Sequence, residues 1–168
     1  MNKNRLIVGV GVYGVVAKEI IDSMKCIDEI AFIDDQKEAT PTGIPVVGKT
    51  GSPNDRLSLL KKAEEETSFR ITALVSPNAY VSTFAQIMPG CIVDPMAVIQ
   101  SMSIIAKGCI ISAGAVVNHA SMCCDSVHVD CNATIAGSVL APAGTKIRGG
   151  EVFDRKEIET CHVRYRDV

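Results

Sequence analysis

Cys91-Ile-Val-Asp-Pro-Met-Ala97-Val-Ile-Gln-Ser-Met-Ser103-Ile-Ile-Ala-Lys-Gly-Cys109-Ile-Ile-Ser-Ala-Gly-Ala115-Val-Val117 repeats one phrase at every sixth position: a small residue, then two aliphatic ones. Followed outward, the second aliphatic position runs Val75, Val81, Ile87, Val93, Ile99, Ile105, Ile111, Val117, Cys123, Val129, Ile135, Ala141, Ile147 without a slip. The small file two residues earlier runs from Ala73 to Thr145. One place earlier again, Gly or Asn is frequent, at Asn78, Gly90, Gly108, Gly114, Asn132 and Gly144.

A helix repeats every 3.6 residues and a plain strand every two. A strict period of six sends the large residue always to the same side while the chain turns within each unit. Three such units close one coil, and successive coils pair through backbone hydrogen bonds about 4.8 Å apart. The pattern therefore predicts a left-handed parallel β-helix over residues 73–153, with the large file pointing inward and the small file filling the narrowing interior beside it. Each corner is expected to need positive φ, supplied by Gly or Asn.

Upstream, Arg5-Leu-Ile-Val-Gly-Val10 reads as a buried parallel strand. Gly9, Gly11 and Gly14 then fall in GxGxxG spacing, and Val15, Val16, Ile20, Ile21 and Met24 recur at helical intervals, which places the glycines at a strand-to-helix turn. Glu29-Ile-Ala-Phe-Ile-Asp34-Asp35 reads as a second strand ending in two carboxylates, where a βαβ nucleotide fold places its ribose-contacting acid. A short strand at 44–47, a helix over 55–66 and a strand from Phe69 complete a shortened Rossmann-like domain over residues 1–72. Residues 154–168 read as a charged tail without period.

With 168 residues and 47% apolar content the chain can bury two small cores. A net charge of −2 without a basic stripe argues against nucleic acid or an anionic membrane as partner. The start of the chain runs directly into a strand pattern, and no apolar run has the length of a span or leader, so a cytoplasmic address is expected. None of the seven cysteines forms a CxxC pair, and reduced thiols are expected.

The GxGxxG turn, Phe32-Ile-Asp-Asp35, Ser76-Pro-Asn-Ala79, the stretch Ser112-Ala-Gly-Ala-Val-Val-Asn-His-Ala120, Val127-His-Val129 and Ala136-Gly137 together resemble the sialic-acid O-acetyltransferase-like family of hexapeptide acyltransferases. Its best understood members are bacterial UDP-4-amino-sugar N-acetyltransferases. The resemblance implies acetyl transfer from acetyl-CoA to the amine of a UDP-linked amino sugar, without metal, in a homotrimer whose inter-chain grooves hold the coenzyme.

It implies His119 as catalytic base, since an imidazole titrating near about 6.5 can take the proton an attacking amine must shed. It places His128 near the bound thioester as a hydrogen-bond donor. Half a coil separates His128 from His119, so the two can meet only across a chain interface. Gly137, eighteen residues after His119 and stacked on it, leaves room for the pantetheine arm. Gly11, Tyr13, Gly14, Asp34 and Asp35 are the expected nucleotide-sugar contacts, the helix N-terminus holding pyrophosphate.

The chain departs from that family at the flanks of its histidine, Asn118 and Ala120 standing where carboxylates are usual. Its N-terminal domain is compressed between Gly48 and Arg56, and its coils stop near Gly150. These departures imply weakened activity, or the alternative of a catalytically degenerate trimer that binds nucleotide sugar or serves in assembly. A hydroxyl acceptor remains open beside the amine. A zinc site of three histidines does not suit the coil phases of His119, His128 and His162.

Overall fold

Backbone amides from Leu74 to Ala136 donate to carbonyls seventeen residues ahead: Leu74 N to Cys91 O at 2.8 Å, Ile92 N to Cys109 O, Ile110 N to Val127 O and His128 N to Thr145 O, each at 2.9 Å. The computed structural model describes residues 5–9, 12–25, 29–33, 44–46, 56, 58 and 72–154. Within 72–154 the ladder stacks fourteen two-residue strands into three parallel sheets of five, five and four. The first sheet joins Leu74–Val75, Ile92–Val93, Ile110–Ile111, His128–Val129 and Lys146–Ile147. The second joins Tyr80–Val81, Val98–Ile99, Val116–Val117, Thr134–Ile135 and Val152–Phe153. The third joins Gln86–Ile87, Ile104–Ile105, Met122–Cys123 and Leu140–Ala141. The result is a parallel β-solenoid of eighteen residues per coil, with register pairs such as Ile111↔Val129 and Val117↔Ile135.

The interior is the file that the sequence singled out. Val93, Ile99, Ile105, Ile111, Val117, Cys123, Val129 and Ile135 are fully buried in one continuous cluster, which Phe153 closes at the C-terminal end. Burying each branched side chain contributes about 1.5–3 kcal/mol. Val75, Val81 and Ile87 are only partly buried at the opposite end.

The small file does more than fill space. Cys91 Sγ donates to Ala106 O (2.9 Å), Ser103 Oγ to Asn118 O (2.8 Å), Cys109 Sγ to Cys124 O (3.1 Å) and Ser121 Oγ to Ala136 O (2.7 Å). Each short polar side chain satisfies a carbonyl fifteen residues on, where the next coil begins its turn. That is why Ser and Cys are tolerated beside Ala in a dry interior. Cys91, Cys109, Cys123, Cys124 and Cys131 are free thiols. Burial is the main cause that pushes the Cys109 and Cys123 thiols well up, so neither is a nucleophile at neutral pH.

The expectation that every corner would carry Gly or Asn is corrected. Positive φ recurs at each sixth residue from Gly90 to Gly150, but Met96 (63°), Met102 (62°), Ala120 (55°), Ser126 (59°) and Ser138 (57°) hold it alongside the glycines and Asn132. A left-handed conformation costs a side-chain-bearing residue about 1–2 kcal/mol. It persists because the ladder on both sides and the buried knob three residues later leave no alternative path for the chain.

Nearer the N-terminus, β1 (Arg5–Gly9), α1 (Val12–Met24), β2 (Glu29–Ile33) and β3 (Ile44–Val46) follow in order. The strands form a parallel sheet ordered β2-β1-β3, with Leu6 opposite both Ile30 and Ile44. The helix ends at Met24, and Lys25 after it adopts φ 53°. Its buried stripe is Ala17, Ile20 and Ile21; Val15, assigned to that stripe from sequence, is 57% exposed. The true stripe runs at i, i+3 and i+4 from an alanine, whose small side chain hides it in a hydropathy pattern. Helix α1 packs against Leu74–Val75. Of the expected 55–66 helix only Arg56 and Ser58 are described, both helical.

Replacing Met96 by Gly is expected to stabilise the protein by about 1 kcal/mol and to raise Tm by roughly 2–4 °C. Gly150→Ala, where φ is 73° and no atom lies within 4 Å of a new methyl group, should lower Tm by a similar amount. Differential scanning calorimetry of the two variants checks both signs.

Candidate active site

The edge between the second and third sheets stacks four corners: Ser82-Thr-Phe84, Gln100-Ser-Met102, Asn118-His-Ala120 and Ala136-Gly-Ser138. His119 lies on the third corner, exposed to solvent. Its backbone is tied on every side. Its N–H donates to Gln100 Oε1 at 3.2 Å, and its carbonyl accepts from Ser138 N at 3.0 Å and, more distantly, from Ser121 Oγ at 3.3 Å. The next amide, Ala120 N, donates to Ser101 O at 3.0 Å.

Gly137 sits directly over the imidazole. A methyl group on its Cα would stand 3.0 Å from both Cε1 and Nε2 of His119 and 3.6 Å from Cδ2. Stacking of the two residues is thus as the eighteen-residue spacing required. The space left by the missing side chain, however, is taken by the histidine ring of the same chain; that is the first use of the glycine, ahead of any room for a pantetheine arm.

His128 occupies the outward position of a first-sheet strand, away from the His119 edge, and within one chain the two histidines do not share a site. It is only 9% exposed, in contrast with His119. The outward side chains beneath it on that face, Leu74, Ile92 and Ile110, are fully buried, so this face is covered. Part of the cover is Arg56, 1% exposed, whose Nε donates to Gly108 O at 3.1 Å and whose Nη2 donates to Ser126 O at 2.8 Å. One guanidinium thereby clasps two stacked corners.

Ser112 Oγ lies 3.2 Å from His128 Nε2. Burial chiefly, with the nearby positive charges of Lys146 and Arg56, pulls the His128 imidazole down from 6.5 to about 4, Asp130 opposing weakly. Asp130 itself is held below the usual carboxylate range by the Cys131 amide first and then by Lys146, whose Nζ is 3.3 Å away. At neutral pH His128 is therefore an uncharged ring with one N–H to donate.

Of the expected nucleotide contacts, Tyr13 and Gly14 fall in the first turn of α1, which starts at Val12, three residues before the sequence pattern placed it. Gly11, Asp34 and Asp35 lie outside the described residues. Sequence reading missed Gln100, Ser121, Ser112 and Arg56. The first three stand at fixed coil offsets from a histidine or glycine and were legible once the eighteen-residue stacking was applied to side chains as well as knobs. Arg56 gave no signal, because nothing in a turn-rich stretch marks which cation will be buried. Among the described residues no three His, Cys, Asp or Glu side chains group as metal ligands, and no helix is long and apolar enough to cross a membrane.

The fold is a parallel β-solenoid joined to a small parallel α/β sheet, with a histidine on a solenoid edge. Residues 4–74 match the family described as the PglD N-terminal domain. The acetyltransferase domain of PglB from Neisseria gonorrhoeae FA1090, solved in complex with acetyl coenzyme A, is 22% identical. It superposes with a TM-score of 0.69 over 90% of this chain and 88% of its own. PerB from Caulobacter crescentus, in complex with CoA and GDP-perosamine, is 18% identical with a TM-score of 0.66 over 93% and 91%. A histidine-to-asparagine mutant of the Caulobacter crescentus perosamine N-acetyltransferase, with the same ligands, is 20% identical with a TM-score of 0.64 over 93% and 90%. No curated protein matches. The resemblance drawn from the sequence is borne out, in the N-terminal family and in the fold shared with bacterial sugar N-acetyltransferases.

Because the unfolded chain protonates His128 near 6.5 while the folded chain resists until about 4, stability should fall as pH drops through that window, by up to roughly 3 kcal/mol. His128→Gln, which can still meet Ser112, should flatten the dependence. Urea midpoints measured from pH 7 to pH 4 for both proteins read the difference.

Proposed function

We propose that this chain transfers the acetyl group of acetyl-CoA to the amine of a UDP-linked amino sugar, with His119 as general base, in a homotrimer. The observation that carries this reading is a solvent-facing imidazole on a solenoid edge, fixed at its backbone by three hydrogen bonds with a fourth at the next amide, and seated at its ring against Gly137. The likeness in fold to proteins solved with acetyl-CoA or with CoA and GDP-perosamine, and the PglD-type N-terminal match, support the same chemistry.

In this mechanism the amine nitrogen attacks the thioester carbon, and its proton passes to the imidazole as the tetrahedral intermediate forms. Collapse expels the coenzyme A thiolate, which regains a proton from the imidazolium, so no metal or covalent enzyme intermediate is required. His128 is uncharged at neutral pH, but it is buried on a covered face with Ser112 Oγ at its Nε2, and this reading gives it no contact with the thioester. The first turn of α1, with Gly11, Tyr13, Gly14, Asp34 and Asp35, is the proposed seat of the nucleotide sugar. The left-handed sense of the solenoid and the cytoplasmic address belong to the same reading.

Incubating the chain with acetyl-CoA and a panel of UDP- and GDP-linked amino sugars, with mass-spectrometric detection, should yield an acetylated UDP-sugar. His119→Ala should lower turnover by about 10²–10⁴-fold while still binding acetyl-CoA in a calorimeter. Failure of the unaltered chain to bind acetyl-CoA would overturn the reading in favour of a non-catalytic assembly subunit. Transfer to GDP-sugars alone would replace the nucleotide and keep the reaction, and sedimentation equilibrium checks the trimer.

A further inference from the structure

A histidine that acts as a base needs something to fix its ring, and a neighbouring carboxylate is the usual device. Here Asn118 and Ala120 flank His119, and the described hydrogen bonds give its ring no carboxylate partner. The fold holds the residue by other means, from the coil below and the coil above.

From below, Gln100 stacks under Asn118, eighteen residues earlier, and turns its amide oxygen to the His119 N–H at 3.2 Å. Among the described residues this is a bond that the solenoid ladder does not supply: the ladder amides are Asn118 N, to Ile135 O, and Ala120 N, to Ser101 O, and His119 N falls between them at the apex of the corner. From above, the bare Cα of Gly137 limits how far the Cε1–Nε2 edge can rise. Ser121 secures that ceiling by donating to Ala136 O at 2.7 Å. Ala120, next in sequence, is left-handed at φ 55°, so the peptide between Gln100 and Gly137 has one narrow path.

We infer that Gln100 and Gly137 are positioning residues for His119, forming a socket that sets the direction of its imidazole in place of a flanking carboxylate. The inference rests on the role proposed for His119 but concerns how that ring is held, which can be read without turnover. A methyl group at 137 must push the ring away by a few tenths of an ångström. Loss of the Gln100 acceptor removes the tie on the N–H side of the apex peptide and leaves it held at the Asn118 carbonyl by Ser103 Oγ. A misplacement of that order moves the base off the line of proton transfer while leaving both substrates their contacts.

Gly137→Ala and Gln100→Leu, compared with Gln100→Glu, which keeps an acceptor oxygen, separate the possibilities. With the acceptor found active in the sugar panel, kcat should drop about tenfold in Gly137→Ala and several-fold in Gln100→Leu. KM for acetyl-CoA should stay within about twofold, and Gln100→Glu should recover most of the loss. Independently of turnover, the His119 Cε1–H resonance, assigned through His119→Gln, should be single and sharp in the unaltered chain and should move or broaden in the first two variants. An inactive unaltered chain whose resonance still responds in this way overturns the enzymatic reading alone. Resonances and kcat unchanged in Gly137→Ala and Gln100→Leu overturn the socket.

Discussion

Each coil of the solenoid hangs from the one after it by backbone hydrogen bonds seventeen residues ahead, and every hexad must turn a corner to keep that ladder in register. The turn includes a single left-handed residue, eleven times in succession from Gly90 to Gly150. Everything else follows from this constraint. It aligns the buried knobs into one cluster, brings the small polar file under the corner carbonyls, and puts residues eighteen apart in contact. The ladder tolerates methionine, alanine and serine in a conformation that disfavours them, because breaking one corner would release two coils from their pairing.

The same constraint makes an edge of the solenoid a good place for a catalytic side chain. A corner apex projects into solvent, yet its backbone is pinned by coils on both sides, so a histidine there is at once accessible and fixed. His119 has that combination, whereas His128, on a face, is buried beneath the cover that includes Arg56. The two histidines look alike in sequence and differ by environment: one open at an apex, the other desolvated beside Lys146 and Arg56 and kept neutral.

Arg56 links the two halves of the chain. Its buried guanidinium spends two donors on the carbonyls of stacked corners, Gly108 and Ser126, on the face against which α1 also packs. A buried cation bonded to backbone oxygen is costly to leave half-satisfied, so this contact specifies where the N-terminal region docks more than it adds net stability.

The period of six, with its eighteen-residue stacking, was legible before any coordinate, because the repeat reports directly which side chain faces inward. So was the stacking of Gly137 on His119. The βαβ start was legible in outline, although α1 begins earlier than its hydropathy suggested and buries Ala17 rather than Val15. Tertiary structure alone decided which residues other than glycine accept left-handed corners, that Gly137 is filled by the imidazole, and that Gln100 holds its amide. It alone decided that His128 is buried near a cation from the other half of the chain. These matters depend on contacts between residues far apart in the chain or on the fit of one atom against another. A sequence pattern records the direction of a side chain and is silent about what meets it.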